Sequence, residues 1–260
     1  VEFEFNLLHT VLLFGAGSLA GFLNTVAFGG SLLTLPVLIF LKLPTATANG
    51  TNRIAIFCQN FSAILGFRRK GVSDFSYGIL LTVPAVIGAV IGAKKAVVTE
   101  DSAFKLTLAV MMVVMLVLTL LNPTERLQKN RLKDESGLVS KIIAVGIFFL
   151  IGIYGGFIQA GVGLLIITAL RLLTGMDLVR TNVIKVLVVF SYTVFALGLF
   201  IVAGEVDWYL GLTLAVGNSC GAWIGSHWAV EKGERWIRRV LIVAVVAFAA
   251  RLVWESVSTG

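Results

Sequence analysis

Apolar residues run through this chain in ten stretches, at about 5–27, 29–41, 52–67, 75–93 and 105–121, then 139–158, 161–173, 183–203, 208–226 and 237–254. Stretches of this kind, without the strict alternation of a barrel strand, predict membrane helices. The second stretch of each set of five is short and follows glycine: Ala27-Phe-Gly-Gly30 in the first set, Gly155-Gly156 and Gly161-Val-Gly163 in the second. Both short pieces read as broken or re-entrant helices. One polar knot interrupts the pattern, Thr45-Ala-Thr-Ala-Asn-Gly-Thr-Asn-Arg53 running into Ile54-Ala-Ile-Phe-Cys-Gln-Asn60, and a reduced echo recurs as Arg180-Thr-Asn-Val-Ile-Lys185. Polar groups at membrane depth are costly unless they pair, face a cavity or bind something, so this knot is the first candidate site.

The echo belongs to a wider repeat. Gly71-Val-Ser-Asp-Phe-Ser-Tyr-Gly78 aligns without gaps on Gly204-Glu-Val-Asp-Trp-Tyr-Leu-Gly211, and the same register pairs Gly88-Ala89 with Gly221-Ala222 and Ile91-Gly92 with Ile224-Gly225. Upstream, Gly21-Phe22 matches Gly156-Phe157, with Asn24 opposite Gln159. Chance likeness between apolar helices accounts for matched Leu and Val, but less well for matched Gly, Asp and aromatic positions. The chain therefore divides into a first transmembrane repeat (1–121), a polar cytoplasmic linker (122–138) and a second repeat (139–260).

Charge orients the copies. Arg68-Arg69-Lys70 is basic, whereas its counterpart around Glu205 and Asp207 has no Lys or Arg, so equivalent loops belong on opposite sides of the membrane. An odd number of crossings per half gives that inversion. With 68–70 in the cytoplasm, the linker, Arg171, Arg180 and the basic run from Lys232 to Arg239 are cytoplasmic too, while Lys94, Lys95 and Lys105 fall on the other side. The fold expected is all-α: a polytopic helical membrane protein built from two inverted repeats, with short broken or re-entrant helices.

Composition narrows the function classes. Of 260 residues 58% are hydrophobic and 13% charged, with a mean hydropathy of +0.96, which leaves too little polar surface for a soluble domain. The net charge of +7 comes without a basic block interleaved with aromatics, so positive-inside loops account for it and nucleic acid is not an expected partner. Cys58 and Cys220 lie in different apolar segments without CxxC or His spacing, and read as small core residues rather than a disulfide or a metal site. The first apolar run reads as a span, not a cleaved signal. HExxH and Walker patterns are missing, and His9 and His227 lie near span edges, so no catalytic residue, metal or cofactor is expected. The acidic residues fall in terminal segments or loops, Asp177 nearest a span, which leaves no carboxylate for a proton relay.

The polar groups suit an anion. On a helix starting near residue 52, Asn52 and Gln59 share a face, with Arg53 and Asn60 in the next row; in the second half Asn182, Lys185 and Tyr192 share one. Each half thus offers a cation and an amide near a helix start, where free N–H groups and the positive dipole end also favour negative charge. With a broken segment just ahead of each, two such ends can converge near the midplane. The substrate-binding candidates are Asn24, Asn52, Arg53, Gln59, Gln159, Asn182 and Lys185. The competing readings are snorkelling of Arg53 and Lys185 to headgroups, and interhelical hydrogen bonding by Asn24, Gln159 and Asn218. Gly88-x-x-x-Gly92 and Gly217-x-x-x-Gly221-x-x-x-Gly225 read as packing faces.

The residues from Gly21 through Gly29-Gly30-Ser31-Leu-Leu-Thr-Leu-Pro36, then Ala48-Asn-Gly-Thr-Asn-Arg53, Gly71 to Gly92 and the repeat with Gly204-Glu-Val-Asp-Trp208, resemble the sulfite exporter TauE/SafE family of membrane permeases over nearly the whole chain. Ala27-Phe28-Gly29-Gly30 is poorer in glycine than that family's usual stretch, and Leu164-Leu165 stands at the matching place in the second half. The resemblance implies transport of sulfite, sulfoacetate, other organosulfonates or sulfur oxyanions. The expectation is a secondary transporter, an exporter, working by alternating access in the bacterial inner membrane, with a small anion and membrane lipid as its partners. A passive anion channel and a non-transporting scaffold subunit remain open alternatives.

Overall fold

A computed structural model describes residues 7–27, 31–69, 76–121, 138–176 and 178–228, and among them every regular element is a helix. In order these are α1 (Leu7–Ala27), α2 (Ser31–Phe40), α3 (Thr45–Arg69), α4 (Ser76–Val98), α5 (Asp101–Leu121), α6 (Leu138–Phe157), α7 (Val162–Thr174), α8 (Leu178–Val202) and α9 (Trp208–Trp228). The stretch expected at 237–254, most of the linker and Asp177 lie outside the described residues. Within α4, α6 and α8, the segments Tyr77–Val98, Ser140–Phe157 and Arg180–Val202 are long and apolar enough to cross a membrane. The 10 residues of α2 and 13 of α7 reach about 15 and 20 Å, short of a hydrocarbon core about 30 Å thick, as the glycine breaks predict.

Two helices begin earlier than hydropathy suggests. α3 starts at Thr45 rather than near 52, and α8 at Leu178 rather than near 183. A hydropathy reading assigns Thr, Asn and Arg to the exterior, but here neighbouring helices bury them: Thr45, Asn49, Thr51, Asn52 and Arg53 are all within the protein. The start of α3 is held from α5, where Asp101 Oδ1 accepts from the Thr45 N–H at 3.2 Å and from Thr45 Oγ1 at 2.7 Å. A carboxylate there satisfies an otherwise orphaned N–H and complements the positive helix end.

Packing runs across the two sequence halves. α1 lies against α9, and α4 against α6, each through facing small residues. A Cβ on Gly88 or Gly92 would collide with the α6 backbone, and one on Gly152 or Gly156 with the α4 backbone. Gly17 and Gly21 meet α9, and Gly217 and Gly221 meet α1, in the same way. These glycines therefore serve close helix approach, the packing role their spacing indicates. Around this interior, Ile79, Val83, Ile87 and Ile91 of α4, Val110, Val113, Val114 and Val117 of α5, and Leu212, Val216 and Trp223 of α9 face outward, the surface a bilayer would cover. Cys220 is on this outer surface and Cys58 is half-buried, both as free thiols, so the core position expected of Cys220 is corrected. Apolar residues carry no inside-or-outside signal when the surrounding solvent is lipid.

Gly88→Leu is expected to destabilise the detergent-solubilised protein by about 1–3 kcal/mol, the usual effect of overpacking. Gly146→Ala, on α6 where a Cβ meets nothing within 4 Å, should leave the melting temperature unchanged or slightly raised. Equal behaviour of the two variants would contradict the packing assignment.

Candidate substrate site

Residues 49, 53, 56, 60, 63 and 67 recur every three or four positions along α3 and so form one continuous stripe. Its upper part, Asn49 and Arg53, faces the break between α6 and α7. There the chain leaves α6 at Phe157, turns through Gln159 at φ 67° and Gly161 at φ 74°, and restarts at Val162. A helix that stops inside a bundle leaves its last carbonyls without N–H partners, and no water is at hand to replace them.

Side chains complete the break. Arg53 Nη2 donates to Gly155 O at 3.2 Å and, more closely, to Gly156 O. Asn49 Nδ2 donates to Phe157 O at 2.6 Å, and the Tyr154 hydroxyl donates to Ala160 O. Arg53 Nη1 donates to Gln159 Oε1 at 2.7 Å, and Gln159 Nε2 passes the connection to Thr193 Oγ1 of α8 at 3.2 Å. Arg53 is 0% exposed, and its guanidinium carbon stands 4.9 Å from the centre of the Phe200 ring. A planar fork can serve a side-chain amide and two carbonyls together, and a cation suits the negative end of α6.

Beyond Gln159 a cavity of about 220 Å³ opens between α3, α7 and α8. Its polar wall is Asn24 of α1, Gln59 and Asn60 of α3, Gln159, and Asn182, Lys185 and Tyr192 of α8. Ile56, Ala63, Phe67, Val162, Val186 and Val189 give it apolar walls. Lys185 brings the one positive charge among these lining residues, and none of them is Asp, Glu or His. Gln59 Oε1 accepts from Asn218 Nδ2 at 2.9 Å, which leaves its NH₂ end for a cavity occupant. α7 begins at the cavity with Val162 and Gly163; the Val162 and Leu164 N–H groups of its first turn already donate to Gln159 O at 3.4 Å and Gly161 O at 3.0 Å, and the partial positive charge of the helix start remains beside the space.

Of the seven candidates, Asn24, Gln59, Gln159, Asn182 and Lys185 line the cavity. Asn52 and Arg53 do not. Asn52 is buried with no hydrogen-bond partner on its Oδ1, and Arg53 stands behind Gln159 at the break. Asn60 and Tyr192 line the cavity without having been in the set, although both were legible: Asn60 lies two turns below Arg53, and Tyr192 two turns along the Lys185 face. Gln159 and Asn218 also make the interhelical hydrogen bonds that were the competing reading for them.

On the opposite side the start of α3 is bonded to the segment between α8 and α9. Thr47 Oγ1 donates to Glu205, and the Asp207 N–H donates to Thr51 Oγ1 at 2.9 Å, so the start of α3 lies against the end of α8. Asp207 Oδ1 accepts from the Leu210 N–H at 2.9 Å and so caps α9. α3 and α8 are therefore antiparallel, and the cavity sits toward the ends that carry Arg69 and Arg180. Among the described residues no group of three or more His, Cys, Asp or Glu comes together as a metal site would require.

A profile of the family described as Sulfite exporter TauE/SafE matches residues 13–252. Among curated proteins, the chain is 27% identical over 251 residues to the probable membrane transporter protein ORF9 of Sinorhizobium sp, covering 96% of this chain and 94% of that protein. It is 28% identical over 245 residues to the probable membrane transporter protein YfcA of Escherichia coli K12, covering 94% and 90%. A probable membrane transporter protein of Haemophilus influenzae is 25% identical over 244 residues, covering 94% of each chain. No solved structure matches the chain.

Arg53→Ala is expected to lower stability by about 2–4 kcal/mol, because two carbonyls and an amide oxygen lose a buried donor. Arg53→Lys should recover only part of this, since one ammonium cannot reproduce the fork. Denaturation of the purified variants checks it; unchanged stability would contradict the clamp.

Proposed function

Because the chain belongs to the sulfite exporter TauE/SafE family and is a membrane transporter, we propose that its cargo is a small sulfur-containing anion, sulfite or an organosulfonate, exported by alternating access between two inverted repeats. The observation that carries this reading is the cavity: about 220 Å³, with one cation, several amides, a helix start and no carboxylate among its described lining residues. Sulfite or a short alkyl sulfonate fits that space. Its charge would be met by Lys185, and its oxygens by Asn24, Gln59, Gln159 and Asn182. The apolar residues at the same cavity suit a short hydrocarbon group, whereas an ammonium group would find no acidic partner among the described lining residues.

The repeat reading draws support from the matched α1–α9 and α4–α6 pairs, each joining one half of the chain to the other through small residues. On it the chain is a first repeat (1–121), a cytoplasmic linker (122–138) and a second repeat (139–260). The basic residues Arg69 and Arg180 lie toward the cavity's end of the bundle, which favours the cytoplasmic side for that end. The cavity is then loaded from within, the state an exporter begins from. Bacterial relatives described as membrane transporters support a multi-pass place in the bacterial inner membrane. The layer of Arg53, Gln159 and Thr193 favours a carrier over an open pore, since none of the described lining residues of this cavity lies beyond it toward Glu205.

Sulfite or methanesulfonate at a hundredfold excess over its Kd is expected to stabilise the purified protein by about 2.7 kcal/mol. Lys185→Gln should weaken that binding about 10- to 100-fold, the contribution of a hydrogen bond to a charged group. Thermal melts across a ligand titration give both numbers. A Lys185→Gln variant that binds like the parent, or a parent that answers to no sulfur anion, would contradict the proposal.

A further inference from the structure

Tyr192 is the largest polar side chain in the cavity wall that the proposed site leaves without a task. It is 0% exposed, lies on the α8 face that carries Asn182 and Lys185, and its ring stands against Gly155 at the break. A Cβ on Gly155 would come 3.0 Å from the Tyr192 oxygen, so the glycine provides the slot in which the phenol end sits. That oxygen has no hydrogen-bond partner among the described residues. Buried phenols ordinarily find one, and a phenol left unpaired in a bundle interior is costly.

Most nearby groups are already engaged, although Arg53 Nε is, like the Tyr192 oxygen, buried without a partner among the described residues. Gly155 O and Gln159 Oε1 accept from Arg53, and Gln159 Nε2 donates to Thr193. Lys185 and Tyr192 are seven residues apart on one helix face, about 10 Å along the axis, and both border the same cavity. An ammonium recognises charge of any shape, whereas a phenol O–H recognises an acceptor atom at one place.

We propose that the Tyr192 hydroxyl donates to an oxygen of the bound anion and is a specificity-determining contact, selecting oxyanions over anions that present no oxygen. This rests on the reading of the cavity as the substrate site. The phenol then completes its hydrogen bonding only when an oxygen-bearing ligand is present, and the cavity's preference is set by two groups, Lys185 for charge and Tyr192 for oxygen.

The test compares the full-length parent, Tyr192→Phe and Lys185→Gln for binding of sulfite, methanesulfonate, iodide and thiocyanate in detergent, by calorimetry and by melting temperature. Tyr192→Phe is expected to weaken sulfite and methanesulfonate about tenfold or more, to leave iodide and thiocyanate unchanged, and to keep or raise the ligand-free melting temperature. Undiminished sulfite and methanesulfonate binding would overturn the assignment. So would a lowered ligand-free melting temperature with equal losses for all four anions, which marks a structural hydroxyl. If Lys185→Gln alone loses binding, only the Tyr192 assignment falls; if the parent binds none of the anions, the substrate-site reading falls with it.

Discussion

The structure turns on one constraint: a helix stopped in the middle of a membrane bundle exposes carbonyls that lipid cannot satisfy. α6 stops at Phe157, and the carbonyls of Gly155, Gly156 and Phe157 are met by Arg53 and Asn49, two polar residues of a helix more than a hundred positions earlier in the chain. The polar knot of the sequence is thus the far half of a hydrogen-bonding problem posed by a glycine break. Neither half is stable alone at membrane depth. Together they fix where α7 restarts, and so where its positive end points.

That arrangement separates two cations of similar chemistry. Arg53 is consumed by the fold, its fork spread over a glutamine and two carbonyls. Lys185, a compact charge on a flexible stem, borders the cavity. Gln159 stands between them, one end on Arg53 and Thr193 and one side on the cavity. A change in what the cavity holds is therefore in contact, through Gln159, with the clamp that holds the break.

Much of this was legible in the sequence, and the parts that were not have a physical explanation. The short helices were announced by glycine, and the close helix pairs by small residues four apart. The start of α3 was missed because polar residues look exterior until the helices that bury them are known. Arg53 and Lys185 looked alike because each follows a Thr-Asn pair, yet their offsets differ: Lys185 is three residues after Asn182 and shares its face, while Arg53 is one after Asn52 and does not. Accordingly Asn182 and Lys185 line the cavity together, while Arg53 lies on the stripe with Asn49 and Asn60. That Arg53 serves the break depends on carbonyls brought in by tertiary packing, which no local spacing reveals.

The most direct measurement is to locate a bound anion. Selenite, the selenium analogue of sulfite, can be placed in crystals of the protein by its anomalous scattering. The account predicts selenium between Lys185, Gln59 and Tyr192, with Arg53 still bonded to Gln159 and to the carbonyls of Gly155 and Gly156. Selenium at the Arg53 guanidinium, with those bonds broken, would contradict it.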